Sequence, residues 1–176
     1  MFRKKTPAAR LSFAGILLAL SWVTLFLAGF IPGMELTLFA LSSFYVILVV
    51  GKTSIVNGWI FYAASCILSM INMPDKMGLL PYVLFFGLYP LIKYYAESLK
   101  KNVLEYVLKL SFFNGAFALM LFVLKSAFLG EIRVPDLPLP VIILGGQAVF
   151  LVYDRLLTLL YDYFNRRFHG SIEGRM

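Results

Sequence analysis

The residues that could do chemistry in this chain are few. Asp154 and Arg155 lie inside an otherwise apolar stretch near the C-terminus, and ionisable residues in such stretches are candidates for function. The long Arg155 side chain is expected to reach the nearest aqueous surface, whereas the short Asp154 carboxylate reaches water poorly. We expect Asp154 to form a structural hydrogen bond, with Asn114 as one candidate partner, and a proton relay is the alternative.

Catalytic and metal-binding motifs are absent from the sequence. There is no His-Glu-x-x-His, Gly-x-Ser-x-Gly, P-loop or Gly-x-Gly-x-x-Gly motif. With one cysteine (Cys66) and one histidine (His169), an intrachain disulfide and a Cys/His metal cluster are excluded by count. We therefore predict a protein that is not an enzyme and that uses neither metal nor cofactor. An enzyme acting on lipid through Asp154 is the alternative.

The composition predicts an integral membrane protein. Of the 176 residues, 61% are hydrophobic and only 14% are charged, whereas soluble domains are about half apolar and a quarter charged. A soluble fold of this length could not bury so many apolar side chains. The net charge of +7 does not indicate nucleic-acid binding, because the basic residues lie at the ends of apolar runs and form no continuous stripe.

Six apolar runs predict an all-α, six-helix membrane bundle in a single domain, residues 1–170. The first run is about 20 residues long, more than the apolar core of a signal peptide, and no A-x-A site follows it. We therefore expect it to be retained. Turn-forming residues such as Pro32 and Gly33 separate the runs, which cover about residues 11–31, 36–50, 55–71, 79–95, 104–124 and 141–160.

The distribution of Lys and Arg predicts that both termini are cytoplasmic in the cell membrane. Cytoplasmic flanks of membrane spans carry an excess of these residues. With the N-terminus inside, three fall outside: Lys76, Lys125 and Arg133. The other 13 fall inside: Arg3, Lys4, Lys5, Arg10, Lys52, Lys93, Lys100, Lys101, Lys109, Arg155, Arg166, Arg167 and Arg175.

Charged residues also mark the ends of two runs. Lys93 and Glu97 lie at the C-terminal end of the fourth apolar run and suit a membrane–water boundary. Glu105 and Lys109 are four residues apart with the acid first, which is a favourable pair on a helix.

A set of polar and aromatic residues in the predicted outer half is our candidate binding site. A pocket in a helical bundle is mostly apolar, with a few placed polar groups, and aromatic rings with amide donors would suit a small flat molecule. The alternative is structural, because Trp and Tyr also form interfacial belts and Ser and Asn join helices. The candidates are Trp22, Glu35, Ser43, Ser69, Asn72, Tyr82, Phe86 and Gln147.

Small residues on the first predicted helix indicate a close helix–helix contact. Ala8, Ser12, Gly15 and Ala19 are spaced by four, three and four residues, so they share one face. Small side chains on one face allow another helix to approach closely. The neighbour is either another helix of this chain or a helix of a partner protein near the inner surface.

The architecture resembles the substrate-binding S-component of energy-coupling-factor transporters. The resemblance covers the six predicted spans, both termini inside, the basic N-terminus and the small-x-x-x-small motif at Gly15 and Ala19. It implies binding of a vitamin-like molecule from outside, with a transmembrane coupling protein and cytoplasmic ATPases as partners. The segment around residues 85–97 is also similar to small membrane proteins of Gram-positive bacteria. A non-enzymatic scaffold of a cell-envelope complex is the alternative function.

The last residues match a sequence used in protein engineering. Residues 172–175 read Ile-Glu-Gly-Arg, the recognition sequence of a protease that removes tags, after Gly170 and Ser171. We interpret residues 171–176 as a cloning remnant, with a chance match in a native chain as the alternative, and draw no function from them.

Overall fold

Helices make up the described part of the chain. The computed structural model describes residues 7–72, 76–99, 102–127 and 139–173, and these residues contain no strand. They form α1 (Pro7–Ala28), α2 (Glu35–Lys52), α3 (Ile55–Asn72), a π-helix (Tyr82–Phe86), α4 (Tyr89–Ser98), α5 (Asn102–Ala127) and α6 (Leu139–Glu173). The predicted all-α class is confirmed.

Four helices among the described residues have the length and composition of membrane-spanning helices. They are residues 8–28 of α1, all of α2 and α3, and residues 103–120 of α5. Large apolar side chains lie exposed on them, including Leu11, Val56 and Val103. Such surface suits contact with lipid. The helices are therefore compatible with a membrane protein, while six spans and the side of each terminus stay predictions.

Local sequence accounts for the ends of the first helices. Gly33 has a φ of 85°, a left-handed conformation that glycine adopts without strain. Its N–H donates to the Glu35 carboxylate over 2.9 Å, which places a negative charge in the first turn of α2. At the other end of α2, Thr53 Oγ1 donates to the Val49 carbonyl over 2.7 Å.

The fourth predicted span, residues 79–95, is not one regular helix. The N–H of Gly87 donates to the Tyr82 carbonyl over 2.7 Å, which is the wide turn of a π-helix. A turn at Gly87 and Leu88 follows, and α4 begins at Tyr89 with Pro90 as its second residue. Proline is tolerated in a first helical turn because its missing N–H has no partner there. The fifth and sixth predicted spans lie within α5 and α6.

The chain divides into two compact units, Met1–Met120 and Leu121–Met176. In the first unit α2 is central, since it contacts α1, α3, the π-helix and α4. A buried cluster at one end of this unit contains Leu25, Ala28, Phe39, Leu79 and Tyr82. In the second unit, α6 runs for 35 residues.

Candidate functional site

Four buried hydroxyl groups, which we call the hydroxyl cluster, meet in the first unit. Ser21 Oγ of α1 and Ser42 Oγ of α2 lie 2.6 Å apart. Ser65 Oγ of α3 and the Tyr82 hydroxyl of the π-helix lie 2.8 Å apart. The Ser21 and Ser42 hydroxyls also interact with that of Tyr82. All four residues are fully buried, so the cluster joins four segments through their side chains.

Tyr62 adds a second connection between α3 and the π-helix. Its hydroxyl donates to the Val83 carbonyl over 2.7 Å, and Ser65 Oγ donates to the Tyr62 carbonyl over 2.8 Å. The Tyr62 ring lies against Gly87, where an added Cβ would come within 2.6 Å of Tyr62 Cε2. Glycine at this position therefore allows the close approach that the Tyr62 hydrogen bond requires.

Two buried polar atoms beside the cluster have no hydrogen-bond partner among the described residues. They are Trp22 Nε1, next to Ser21 in the chain, and Ser69 Oγ, one helical turn beyond Ser65. A buried polar atom without a partner costs free energy, more so in a protein surrounded by lipid. Both residues belong to the predicted binding set, and a bound molecule is one way to supply the missing partners.

Two other residues of that set lie together in the core. The Tyr82 and Phe86 rings both contact the Phe39 ring, with centroid separations of 6.2 and 6.1 Å. Ser43 is buried on α2 and donates to the Ala40 carbonyl over 2.6 Å. These contacts are those of core packing and of hydrogen bonding within a helix.

The remaining three predicted binding residues lie elsewhere. Glu35 accepts the Gly33 N–H at the start of α2, and exposed Asn72 donates to the Leu68 carbonyl over 3.0 Å. Gln147 lies in α6, in the second unit. The hydrogen bonds of Glu35 and Asn72 are therefore local, within a few residues of each side chain.

A cluster of charged residues connects α4 and α5. Lys93 and Lys109 are buried, with exposed fractions of 1% and 3%. Lys93 Nζ lies 2.8 Å from Glu97 Oε1, while Lys109 Nζ lies 3.4 Å from that oxygen and 2.7 Å from Glu105 Oε1. The predicted Glu105–Lys109 pair is confirmed. The protein buries the Lys93 ammonium group beside the half-exposed Glu97 carboxylate. The position of Lys93 at a membrane–water boundary stays a prediction.

Sequence reasoning missed several of these residues as members of a site. Ser21 and Ser65 are serines in the middle of apolar runs, where a hydroxyl needs a partner, and that position was an available signal. The spacing of Lys93 and Glu97 is that of a helical pair, which was a second signal. Neither signal shows which helices meet.

Asp154 lies in the described part of the second unit. It is 5% exposed, whereas its neighbour Arg155 is exposed. Thr158 Oγ1 donates to the Asp154 backbone carbonyl over 3.0 Å. The hydrogen bond to Asn114 stays a prediction. Among the described residues, no group of three or more His, Cys, Asp or Glu could hold a metal ion.

The small residues of α1 face away from the core of the first unit. Ala8, Ser12, Gly15 and Ala19 are all exposed. A Cβ added at Gly15 would have no atom within 4 Å. The described residues therefore leave this face of α1 available for another molecule.

Beside that face lies an open groove between α1 and α3, which we call the α1–α3 groove. Its cavity has a volume of about 580 Å³. Gly15 belongs both to the groove and to the small face. The residues that line the groove are Arg10, Leu11, Ala14, Gly15, Leu18, Asn57, Ile60, Phe61 and Ala64.

Comparison with known proteins adds no assignment to this geometry. The chain matches no family model, no curated protein and no solved structure.

Proposed function

We propose that this chain is a membrane-embedded substrate-binding subunit for uptake of a vitamin-like small molecule. The observation that carries the proposal is the pair of unpartnered polar atoms, Trp22 Nε1 and Ser69 Oγ, beside the hydroxyl cluster. Both can donate a hydrogen bond, and ligand sites in helical bundles combine an apolar lining with a few such groups. The proposal assigns no catalytic residue.

The proposal includes a six-span topology with both termini in the cytoplasm. In that orientation Trp22 and Ser69 lie in the outer half of the bundle, where a substrate from outside would arrive. The excess of Lys and Arg on the inner flanks supports the orientation.

Energy for uptake would come from separate partners, a transmembrane coupling protein and cytoplasmic ATPases. The exposed small face of α1 supports this part of the proposal, because small side chains permit close docking of a partner helix. We expect Ala19→Leu to prevent co-purification of the coupling protein while Lys76→Gln, a surface change away from α1, leaves it intact.

Native mass spectrometry of protein purified gently from its own host's membranes tests the binding function. We expect a bound small molecule on the unsubstituted protein and its loss in Trp22→Phe and in Ser69→Ala. Trp59→Phe is the matched control, because it makes the same substitution at a partly exposed tryptophan whose ring contacts Tyr62. Equal ligand occupancy in all four proteins, or an empty unsubstituted protein, would contradict the proposal.

A non-enzymatic scaffold subunit of a cell-envelope complex is the second candidate. The specific observation that favours it is the dense packing of the hydroxyl cluster, whose four residues are fully buried and bonded to one another. Such a cluster serves to join helices without any ligand. A ligand-free chain that co-purifies with a membrane partner, in the absence of ATPase subunits, would select this function.

A further inference from the structure

The α1–α3 groove is polar at one end and apolar along the rest of its length. Arg10 and Asn57 lie at the N-terminal ends of the two lining stretches, and the other lining side chains are apolar or absent. The two helices run in the same direction, because short turns join each of them to α2, which packs against both. The groove is therefore amphipathic along the helix axes.

The polar end offers hydrogen-bond donors that the described residues do not use. Arg10 and Asn57 are both exposed, and neither side chain forms a hydrogen bond or ion pair with another described residue. A guanidinium group binds phosphate oxygens with a pair of parallel hydrogen bonds, and the Asn57 amide can add one more. The charge of this end is complementary to an anion.

The length of the groove matches one leaflet of a bilayer. The eight steps from Arg10 to Leu18 at about 1.5 Å each give roughly 12 Å. Half of a hydrocarbon core of about 30 Å is about 15 Å. An acyl chain that enters from the polar end would therefore lie along most of one leaflet. The middle of the groove is open at Gly15, because a Cβ there would meet no other described segment within 4 Å.

We propose that the α1–α3 groove binds one anionic phospholipid, with its phosphate at Arg10 and Asn57 and an acyl chain along Gly15 and Leu18. Basic pockets between membrane helices on the cytoplasmic side bind anionic headgroups in this way. The predicted orientation places Arg10 on that side. The inference does not depend on substrate binding at Trp22 and Ser69, because neither residue lines the groove. It shares only Gly15 with the small face of α1.

The test is lipid binding by the full chain, purified in detergent and stripped of lipid. Phosphatidylglycerol and phosphatidylcholine with identical acyl chains are titrated, and bound lipid is counted by native mass spectrometry. We expect phosphatidylglycerol to bind about fivefold more tightly, the preference that one interfacial cation provides. Arg10→Gln should remove this preference, and Lys76→Gln, which removes an exposed cation elsewhere in the unit, should retain it.

A second pair of variants tests the acyl-chain path. Gly15→Leu should fill the groove and weaken binding of both lipids at least tenfold. The matched change Gly115→Leu, at an exposed glycine of α5 outside the lining, should not. Far-UV circular dichroism checks that the helices are retained, which we expect because leucine is a better helix former than glycine.

Three results would overturn the proposal. Equal binding of the two lipids, unchanged by Arg10→Gln, would mean non-selective surface lipid. Unchanged phosphatidylglycerol binding by Gly15→Leu, with loss of a co-purifying protein, would make the groove a protein interface. Inorganic phosphate that displaces phosphatidylglycerol at equal concentration would show an anion site without a place for the acyl chain.

Discussion

The two sides of α3 differ in how closely neighbouring helices pack against them. On the side towards α2 and α4, which we call the closed side, the helix is closely packed. A Cβ at Gly58 would lie 3.0 Å from Leu91 Cδ2 and nearer still to Val50 Cγ2. On the side towards α1, which we call the open side, the residues around Ile60 border the α1–α3 groove. A single helix can therefore be part of a tight core on one side and border an open groove on the other.

The polar groups on the closed side and on the open side also differ. On the closed side, the Ser65 and Tyr82 hydroxyls bond each other and the Lys93 ammonium group pairs with Glu97. On the open side, the Arg10 guanidinium has no described partner. Buried polar groups must be satisfied within the protein, whereas an exposed cation is available to bind an external anion. The difference separates groups that hold the fold from groups that can bind a ligand.

The largest expected effect is on the closed side, at Glu97. Glu97→Gln removes a carboxylate that contacts two buried ammonium groups, so we expect the free energy of unfolding to fall by about 3 kcal/mol. Reversible unfolding in mixed micelles measures it. Glu105→Gln is the matched control and should cost about 1 kcal/mol, because Lys109 keeps Glu97. Equal effects of the two variants would refute the shared role of Glu97.

A glycine on the closed side should tolerate no side chain. Gly87→Ala places a methyl group 2.6 Å from Tyr62 Cε2 and 3.1 Å from the Tyr82 carbonyl oxygen. Overpacking of this kind costs about 2 kcal/mol, and displacement of Tyr62 would weaken its hydrogen bond to Val83. Thermal unfolding in detergent provides the measurement. An unchanged midpoint would show that the π-helix region adjusts freely.

Two serines one turn apart on α3 should respond with opposite signs. Ser65→Ala removes a hydroxyl that bonds Tyr82, so we expect a loss of about 1 kcal/mol in the free energy of unfolding. Ser69→Ala removes a buried hydroxyl without a described partner, so we expect a gain of about 1 kcal/mol in ligand-free protein. The same denaturation assay compares both. Destabilisation by Ser69→Ala in ligand-free protein would mean that its hydroxyl has a partner.

The smallest expected effect is on the open side. Gly15→Ala adds a methyl group that meets no other described segment within 4 Å, and it improves helix propensity. We therefore expect the free energy of unfolding to rise by at most about 1 kcal/mol. Chemical denaturation of this variant beside Gly58→Ala sharpens the contrast, since the second change should destabilise. A loss of stability at Gly15 would mean that the groove is closed by another part of the chain.

Elements with a local signal could be predicted from the sequence. The first three predicted spans correspond to α1, α2 and α3, because apolar composition and the Pro32–Gly33 and Thr53 turns act within a few residues. The Glu105–Lys109 pair was predictable for the same reason, since its spacing lies within one helix. The π-helix within residues 79–95 was not predictable, because a change in backbone hydrogen bonding does not alter the hydropathy of the sequence.

The candidate site could be predicted only in part. Trp22 and Ser69 were selected as polar residues in apolar runs, and the structure leaves one polar atom of each without a described partner. Ser43 and Tyr82 were selected on the same grounds, yet they are buried and hydrogen-bonded. The sequence alone does not distinguish these cases, since burial, and for Tyr82 the partner Ser65, depend on which helices meet.

Composition and periodicity by themselves determined that this chain is helical and apolar enough for a membrane. They also placed small residues together on one face of α1, because a helix fixes side-chain positions through local geometry alone. Only the tertiary structure decided that Lys93 is buried beside Glu97, that Gly87 lies against Tyr62, and that Gly15 borders an open groove. Those outcomes depend on which helix faces meet, and that choice arises from packing between segments far apart in the chain.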